Sequence, residues 1–370
     1  MRANVTKDIL TEVAWDAYQA AEHTVFAPRL EKIGIILDSI QPHTSGERYL
    51  MSGKKLVLIG TRAADGARAV VKVSSDQNGR TDIRYEKEAH DLLKTLAFAH
   101  ETLLVPKEIH YEDTHEGTVL VTAFIEQPNV FFARPLSEQF FLALRALEAQ
   151  EGFHATTYEH EKDVKRVFPI VRSLDYLETL VHSIEKITSI VPSDTHLREY
   201  LKSVKVLFYE HAETIDRYTP YLTHTDMAPH NMRVTNQGIF LLDPAAFHFG
   251  NKYESWARFI NYMMVHNPEL SELLARYVRN NRNEDEYLAL RLMRLYKIVF
   301  LLEFYAESLS RTNGELHELT KIRIAFWTDA LEAVLADKPL AQETVTAYKN
   351  IRNRLRSPEE TARQKEFNQI

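Results

Sequence analysis

Within Tyr221–Gly250 stand four side chains that could do chemistry together. They are His224, Asp226 and Asn231, in the order His-x-Asp-x4-Asn, and Asp243 at the end of an apolar run. A loop carboxylate can receive a hydroxyl proton. An amide and a second carboxylate are hard oxygen ligands of the kind Mg²⁺ takes, with water and phosphate oxygens filling the rest of its shell. Phosphoryl transfer from a nucleoside triphosphate needs that set of groups. The surrounding residues can position them. Tyr221–Thr223 reads as a brief strand that delivers His224 and Asp226 to a loop. Met232, Val234, Ile239, Leu241 and Leu242 flank Asn236-Gln237-Gly238, a hairpin turn signal. Such a hairpin swings Asn231 and Asp243 back to the same end. The competing reading is an Asp/Asn-rich surface loop whose side chains cap turns. His-x-Asp-x4-Asn alone is a weak signal, and the hairpin and second Asp behind it favour the chemical reading.

That chemistry makes a demand upstream. Ala69–Val73 (AVVKV) is a strand with one Lys inside an apolar alternation, preceded across Ala64-Asp65-Gly66 by another strand, Lys55–Arg62. Lys72 can pair with nucleotide phosphates if a carboxylate holds it; otherwise it is a strand lysine reaching solvent. The next helix starts near Asp82 and reads RYEKEAHDLL. Glu88 shares a face with Leu92 and is the expected partner of Lys72, with Glu86 as the alternative. Either Glu could equally be an ordinary helix-surface charge.

On these motifs the chain resembles the aminoglycoside phosphotransferase-like superfamily of small-molecule kinases, which share the protein-kinase fold. The resemblance runs from Thr44 to Phe259 and is carried by HTDMAPHN and LLDPAAFHFGNKYESWARF, with AVVKV and YEKEAHDLL as weaker support. Fructosamine, methylthioribose and choline kinases are similar relatives. The resemblance implies a bilobal α+β fold, with a small β-rich N-lobe and a large helical C-lobe. It implies Asp226 as catalytic base, with His224 orienting its loop, and Asn231 and Asp243 as Mg²⁺ ligands. Lys72 would bind phosphates and Glu88 would anchor it. The nucleotide is expected to be ATP, with GTP possible. Backbone groups at Ala123 and Ile125 would meet the adenine, with Thr122 behind it, and the tip Ser52-Gly53-Lys54 would cover the phosphates.

The departures are specific. No tight glycine-rich loop precedes Lys72. Ala228 stands where protein kinases carry a catalytic-loop Lys. Ser255 stands where the family usually has an Asp that braces the catalytic loop. Pro244-Ala245 replaces Phe-Gly.

Only a short connection separates Asp243 from the helix signal at Glu254–Phe259. A protein kinase needs a longer segment there to dock a polypeptide. The expected acceptor is therefore a hydroxyl of a small molecule: a sugar, an amino alcohol or an aminoglycoside-like compound. A protein serine/threonine kinase and a non-catalytic nucleotide-binding or interaction protein are the rival readings. Acceptor contacts are expected near Tyr253, Trp256 and Glu303, and His230 is read as exposed.

The remaining chain suits a two-lobed enzyme of 370 residues. A formal net charge of −7 disfavours nucleic acid as a partner. With no cysteine, disulfides and thiolate catalysis are excluded. No signal-peptide form and no membrane-length apolar run is seen, so no membrane partner is expected and the cytoplasm is the default. Oligomeric state is not indicated. The expected organisation is an N-terminal helical arm (1–42), a nucleotide-binding N-lobe (43–127), a helical C-lobe (128–356) and a polar, disordered tail (357–370). Helices are expected over Ser137–Gln150, Ser173–Ile187, Asp194–His211, Glu284–Ser308, Leu316–Ala336 and Ala341–Asn353.

Overall fold

The alternating apolar residues around Lys72 form the middle of an antiparallel sheet. In this computed structural model, which describes residues 11–51, 54–95, 103–152 and 161–368, five strands take the order β1-β2-β3-β6-β5. They are β1 (Ile35–Leu37), β2 (Leu56–Arg62), β3 (Arg68–Ser74), β5 (Glu108–Asp113) and β6 (Thr118–Ala123). Ala69, Val71 and Val73 point to the buried face of β3. Lys72 lies opposite Val57 on β2 and Leu120 on β6. A period of two thus sends Lys72 to the face opposite the valines. Helix α2 (Gln77–Thr95) packs on β3.

The chain divides into two units. The first comprises Met1–Ala133, His230–Ala245 and Ser357–Ile370. The segment 230–245, expected in the C-lobe, therefore packs with the N-terminal residues. It forms β8 (Met232–Thr235) and β9 (Gly238–Leu241), an antiparallel hairpin that turns at Asn236-Gln237. Strand β4 (Leu103–Leu104) adds to β9 in parallel.

Two expectations at the ends of the chain are corrected. The helical arm expected to run to residue 42 is, among the described residues, helical only over α1 (Glu12–Lys32), and is followed by β1, which joins the edge of the sheet. The stop is Gly34, whose φ of +78° is a conformation open to glycine and strained for other residues. The polar tail, expected to be disordered, contains a helix at Pro358–Asn368. It packs on the two 3₁₀ turns at Pro42–Thr44 and Gly46–Leu50. Its anchor is a buried, bidentate Arg363–Glu360 pair with contacts of 2.7 and 2.8 Å, and Glu360 also accepts the Glu47 N–H at 2.9 Å. Gly46 is required there: its φ is +61°, and an added Cβ would meet Glu360 Oε2 at 2.6 Å.

The second unit, Arg134–Pro229 with Ala246–Arg356, is mostly helical. Six of its helices follow the expected spans within a few residues: α3 (Leu136–Glu151), α5 (Ser173–Ile190), α6 (Thr195–Glu210), α10 (Glu284–Ser308), α11 (Gly314–Leu335) and α12 (Gln342–Leu355); α8 (Tyr253–His266) grows from the helix signal at Glu254–Phe259, and α4 (Glu161–Val167), α7 (Ala212–Arg217) and α9 (Pro268–Asn281) had no expected span. Helix α10 is the central rod. Its buried residues lie all round it, from Ala289 to Ala306, and α5, α8 and α11 pack against it. Its start is fixed by a capping box between Asn283 and Glu286. One two-stranded ribbon, β7 (Tyr221–His224) with β10 (Phe247–Gly250), carries the loop that holds Asp226. Among the described residues no helix is long and apolar enough to cross a membrane.

Candidate active site

In the first unit, Lys72 is 13% exposed and forms an ion pair with Glu86 Oε1. Its ammonium also lies 3.6 Å from Asp243 Oδ1. Burial alone would lower the pKa of Lys72, but Glu86 and Asp243 outweigh it and hold the ammonium above its ordinary value. Lys55 approaches the other Glu86 oxygen at 3.7 Å. The expected anchor, Glu88, is corrected to Glu86. Ile83, Glu86, Ala89, His90 and Leu93 form the buried face of α2, and Glu88 points to solvent.

Asp243 follows β9 with a φ of +55°, in the left-handed region. For a non-glycine residue this costs roughly 1–2 kcal/mol, a strain that commonly marks functional positions. The Leu242 N–H donates to the Asn231 carbonyl at 2.8 Å, so the hairpin closes with Asn231 and Asp243 at one end. Thr122 lies in β6 opposite Val70. The Ala123 N–H, expected to meet a base, donates to the Lys107 carbonyl at 2.8 Å and belongs to the sheet. Ile125 follows the strand, partly exposed. Ser52 and Gly53 lie outside the described residues. Their neighbour Lys54 pairs with Asp76 at 3.3 Å.

In the second unit, β7 ends at His224, whose side chain is fully buried against Phe247 at a ring distance of 4.9 Å. The His224 N–H is shared between Gln150 Oε1 at 2.9 Å and Ser255 Oγ at 3.0 Å. Ser255 in turn donates to Gln150 Oε1 at 2.6 Å, and its Oγ meets the Thr223 hydroxyl. The Thr225 N–H donates to the Ala246 carbonyl at 2.8 Å. The loop is thus tied at both sides before it presents Asp226, whose side chain is 43% exposed. Arg258, from α8, donates through Nε to Asp226 Oδ1 at 2.8 Å.

Several expected acceptor contacts are corrected. Tyr253 and Trp256 are fully buried. The Tyr253 hydroxyl is taken by Glu286 at 2.8 Å, and Trp256 stacks on Tyr277. Glu303 is held by Ser183 at 2.6 Å and Lys186 at 2.9 Å. His230 is buried, not exposed. Sequence reasoning missed Gln150 and Arg258. Arg258 carries a signal after the fact, since it follows Ser255 by three residues on the same helix and therefore lies near it on the helix surface. Gln150 carries none, because its partner His224 lies 74 residues away in the chain.

No family model matches the chain, and no curated protein matches it in sequence. Solved structures do match. A thermostable mutant of aminoglycoside phosphotransferase APH(4)-Ia superposes with a TM-score of 0.58 at 16% identity, covering 84% of this chain and 97% of that one. The ADP-bound aminoglycoside phosphotransferase APH(2'')-Ib superposes with a TM-score of 0.54 at 12% identity, covering 84% and 98%. The GDP complex of aminoglycoside 2'-phosphotransferase-IIIa gives 0.56 at 15%, covering 85% and 97%. At such identities the likeness speaks for architecture. The chain has the α+β, protein-kinase-like fold of the aminoglycoside phosphotransferases.

Proposed function

We propose that this protein is a phosphotransferase that moves the terminal phosphoryl group of ATP or GTP to a hydroxyl of a small molecule. The observation that carries the reading is the Lys72 ammonium, paired with Glu86 and 3.6 Å from Asp243 in a sheet-and-hairpin unit. A buried lysine kept charged by two carboxylates is suited to meet nucleotide phosphates. Asn231 and Asp243 offer an amide and a carboxylate oxygen from one end of the β8–β9 hairpin, a hard donor pair that fits Mg²⁺. Such an ion, when bound, neutralises charge on the phosphates.

Asp226 is the proposed base. It is accessible, and the hydrogen bonds of Thr223, His224 and Thr225 hold its loop. It receives or orients the proton of the attacking hydroxyl. Only a 3₁₀ turn at Pro244–Ala246 and strand β10 stand between Asp243 and helix α8. That leaves little chain for docking a polypeptide, which favours a small acceptor over a protein. The neighbours whose structures hold ADP or GDP leave both nucleotides open here.

The test is calorimetric binding of ATP and GTP with and without Mg²⁺, on the wild type and on Asp243→Asn. Metal-dependent binding that the variant loses supports the reading. No binding of either nucleotide under any condition overturns it.

A further inference from the structure

Asp226 lies at the edge of a group of arginines. Arg258 contacts it directly at 2.8 Å, and its guanidinium is 5.5 Å from the Tyr262 ring, which stacks on His266. The charges of Arg352 and Arg356, from the end of α12, also act on Tyr262. Burial and the like charges of Arg356 and Arg323 hold the Arg352 guanidinium below its ordinary pKa. Its guanidinium lies 5.8 Å from the Tyr348 ring, and Arg323 lies 5.4 Å from the Tyr305 ring. Arg352 and Arg356 are one helical turn apart, joined by a main-chain hydrogen bond of 3.0 Å.

Two of these cations, Arg352 and Arg356, are poorly neutralised. Among the described residues Arg352 and Arg356 form no ion pair. Among the described residues Arg352 donates from its side chain only to Asn353 Oδ1, at 3.1 and 3.2 Å. The Nε of Arg356 is buried and has no hydrogen-bond partner. Gathering half-buried like charges is unfavourable unless an anion joins them. The guanidinium fork is the group best matched to a carboxylate or phosphate. A polycationic acceptor would instead meet repulsion here.

We infer that the acceptor is an anionic hydroxy compound, whose carboxylate or phosphate group is held by Arg352 and Arg356 while its hydroxyl faces Asp226. This inference rests on the phosphotransferase reading for the role of Asp226. It departs from the neighbours crystallised with hygromycin B or kanamycin. Arg258 then serves both sides: it fixes the carboxylate of Asp226 and adds a cation that the loop itself lacks at Ala228.

The test is calorimetry on the full chain without nucleotide, using D-gluconate, D-glucose 6-phosphate, D-glucose and kanamycin as probes. The wild type is compared with Arg352→Gln/Arg356→Gln and with Arg354→Gln, a change at an exposed position of the same helix. The expected result is binding of at least one oxyanion and of neither D-glucose nor kanamycin. The double variant should lose about tenfold or more in affinity, while Arg354→Gln keeps it. The stronger oxyanion tells carboxylate from phosphate. Thermal melting of the double variant should stay within a few degrees of wild type, which separates a lost site from a lost fold. Kanamycin binding without oxyanion binding overturns the inference. So does oxyanion binding that the double variant retains, or no heat from either oxyanion at millimolar concentration. Because nucleotide is absent, these outcomes are independent of the ATP and GTP titrations that test the phosphotransferase reading.

Discussion

Gln150 and Ser255 share a hydrogen bond of 2.6 Å, and both accept the main-chain N–H of His224. The resemblance read from the sequence leads one to expect a single Asp at the position of Ser255 as the brace of this loop. Here a hydroxyl and an amide from two helices do the same work, and both side chains are buried. A neutral pair avoids placing a carboxylate in the interior.

Replacing Gln150 with Leu removes one of the two acceptors of the buried His224 N–H, which keeps Ser255 Oγ, and one of those of the Ser255 hydroxyl, which keeps the His224 carbonyl at 3.1 Å. The expected loss is about 1–3 kcal/mol of stability, read from urea unfolding. Turnover should fall more than nucleotide affinity. A Gln150→Leu chain as stable and active as wild type would mean that the loop needs no brace.

Glu86 and Glu88 make a paired prediction. Glu86→Gln removes the charge that holds Lys72, and nucleotide affinity should fall roughly tenfold, as expected for a lost charge-assisted contact. Glu88→Gln changes an exposed helix position and should leave affinity unchanged. Calorimetry on both variants decides the assignment, and the reverse pattern would restore Glu88.

Asp226→Asn keeps the shape of the side chain and its contact with Arg258 while removing its basicity. Turnover should drop by about 10²–10⁴, with nucleotide binding retained. ADP release and nucleotide titration measure the two parts separately. Normal turnover would remove Asp226 from its role.

Stability should depend on pH through His43. Burial, and then the nearby Arg363 guanidinium, lower its pKa from 6.5 to about 4. The folded chain therefore holds His43 neutral, while the unfolded chain takes up a proton below 6.5. The contribution is complete above pH 6.5 and is lost as pH falls from there toward 4. His43→Asn should flatten this part of the stability profile, measured by urea unfolding at a series of pH values. An unchanged slope would assign it to another group.

Much of the site was readable from local pattern. The alternation around Lys72 marks a strand, and Asn236-Gln237-Gly238 between apolar runs marks the hairpin that returns Asp243 to Asn231. Helix phase was read less well. Leu92 and Leu93 are both buried, so a pattern anchored on Leu92 picks Glu88 when the centre of the face passes through Glu86. The tail defeated compositional reasoning for a different reason. Its buried residues Glu360 and Arg363 are charged, and their burial rests on each other and on the Glu47 N–H, more than 300 residues away in sequence. Tyr253 and Trp256 were misplaced because an aromatic pair close in sequence to a candidate site looks the same whether it lines a pocket or fills a core.

The helix at Pro358–Asn368 has a temporal consequence. The first unit is closed by a piece of chain that begins some 220 residues after Ala133. At about 5–20 residues per second, the ribosome needs roughly 10–45 s to supply it. Over that interval the pocket of Gly46 and Glu47 waits without Glu360 and Arg363. The first unit therefore gains its closing piece only after every residue of the second unit, which ends at Arg356, has been made.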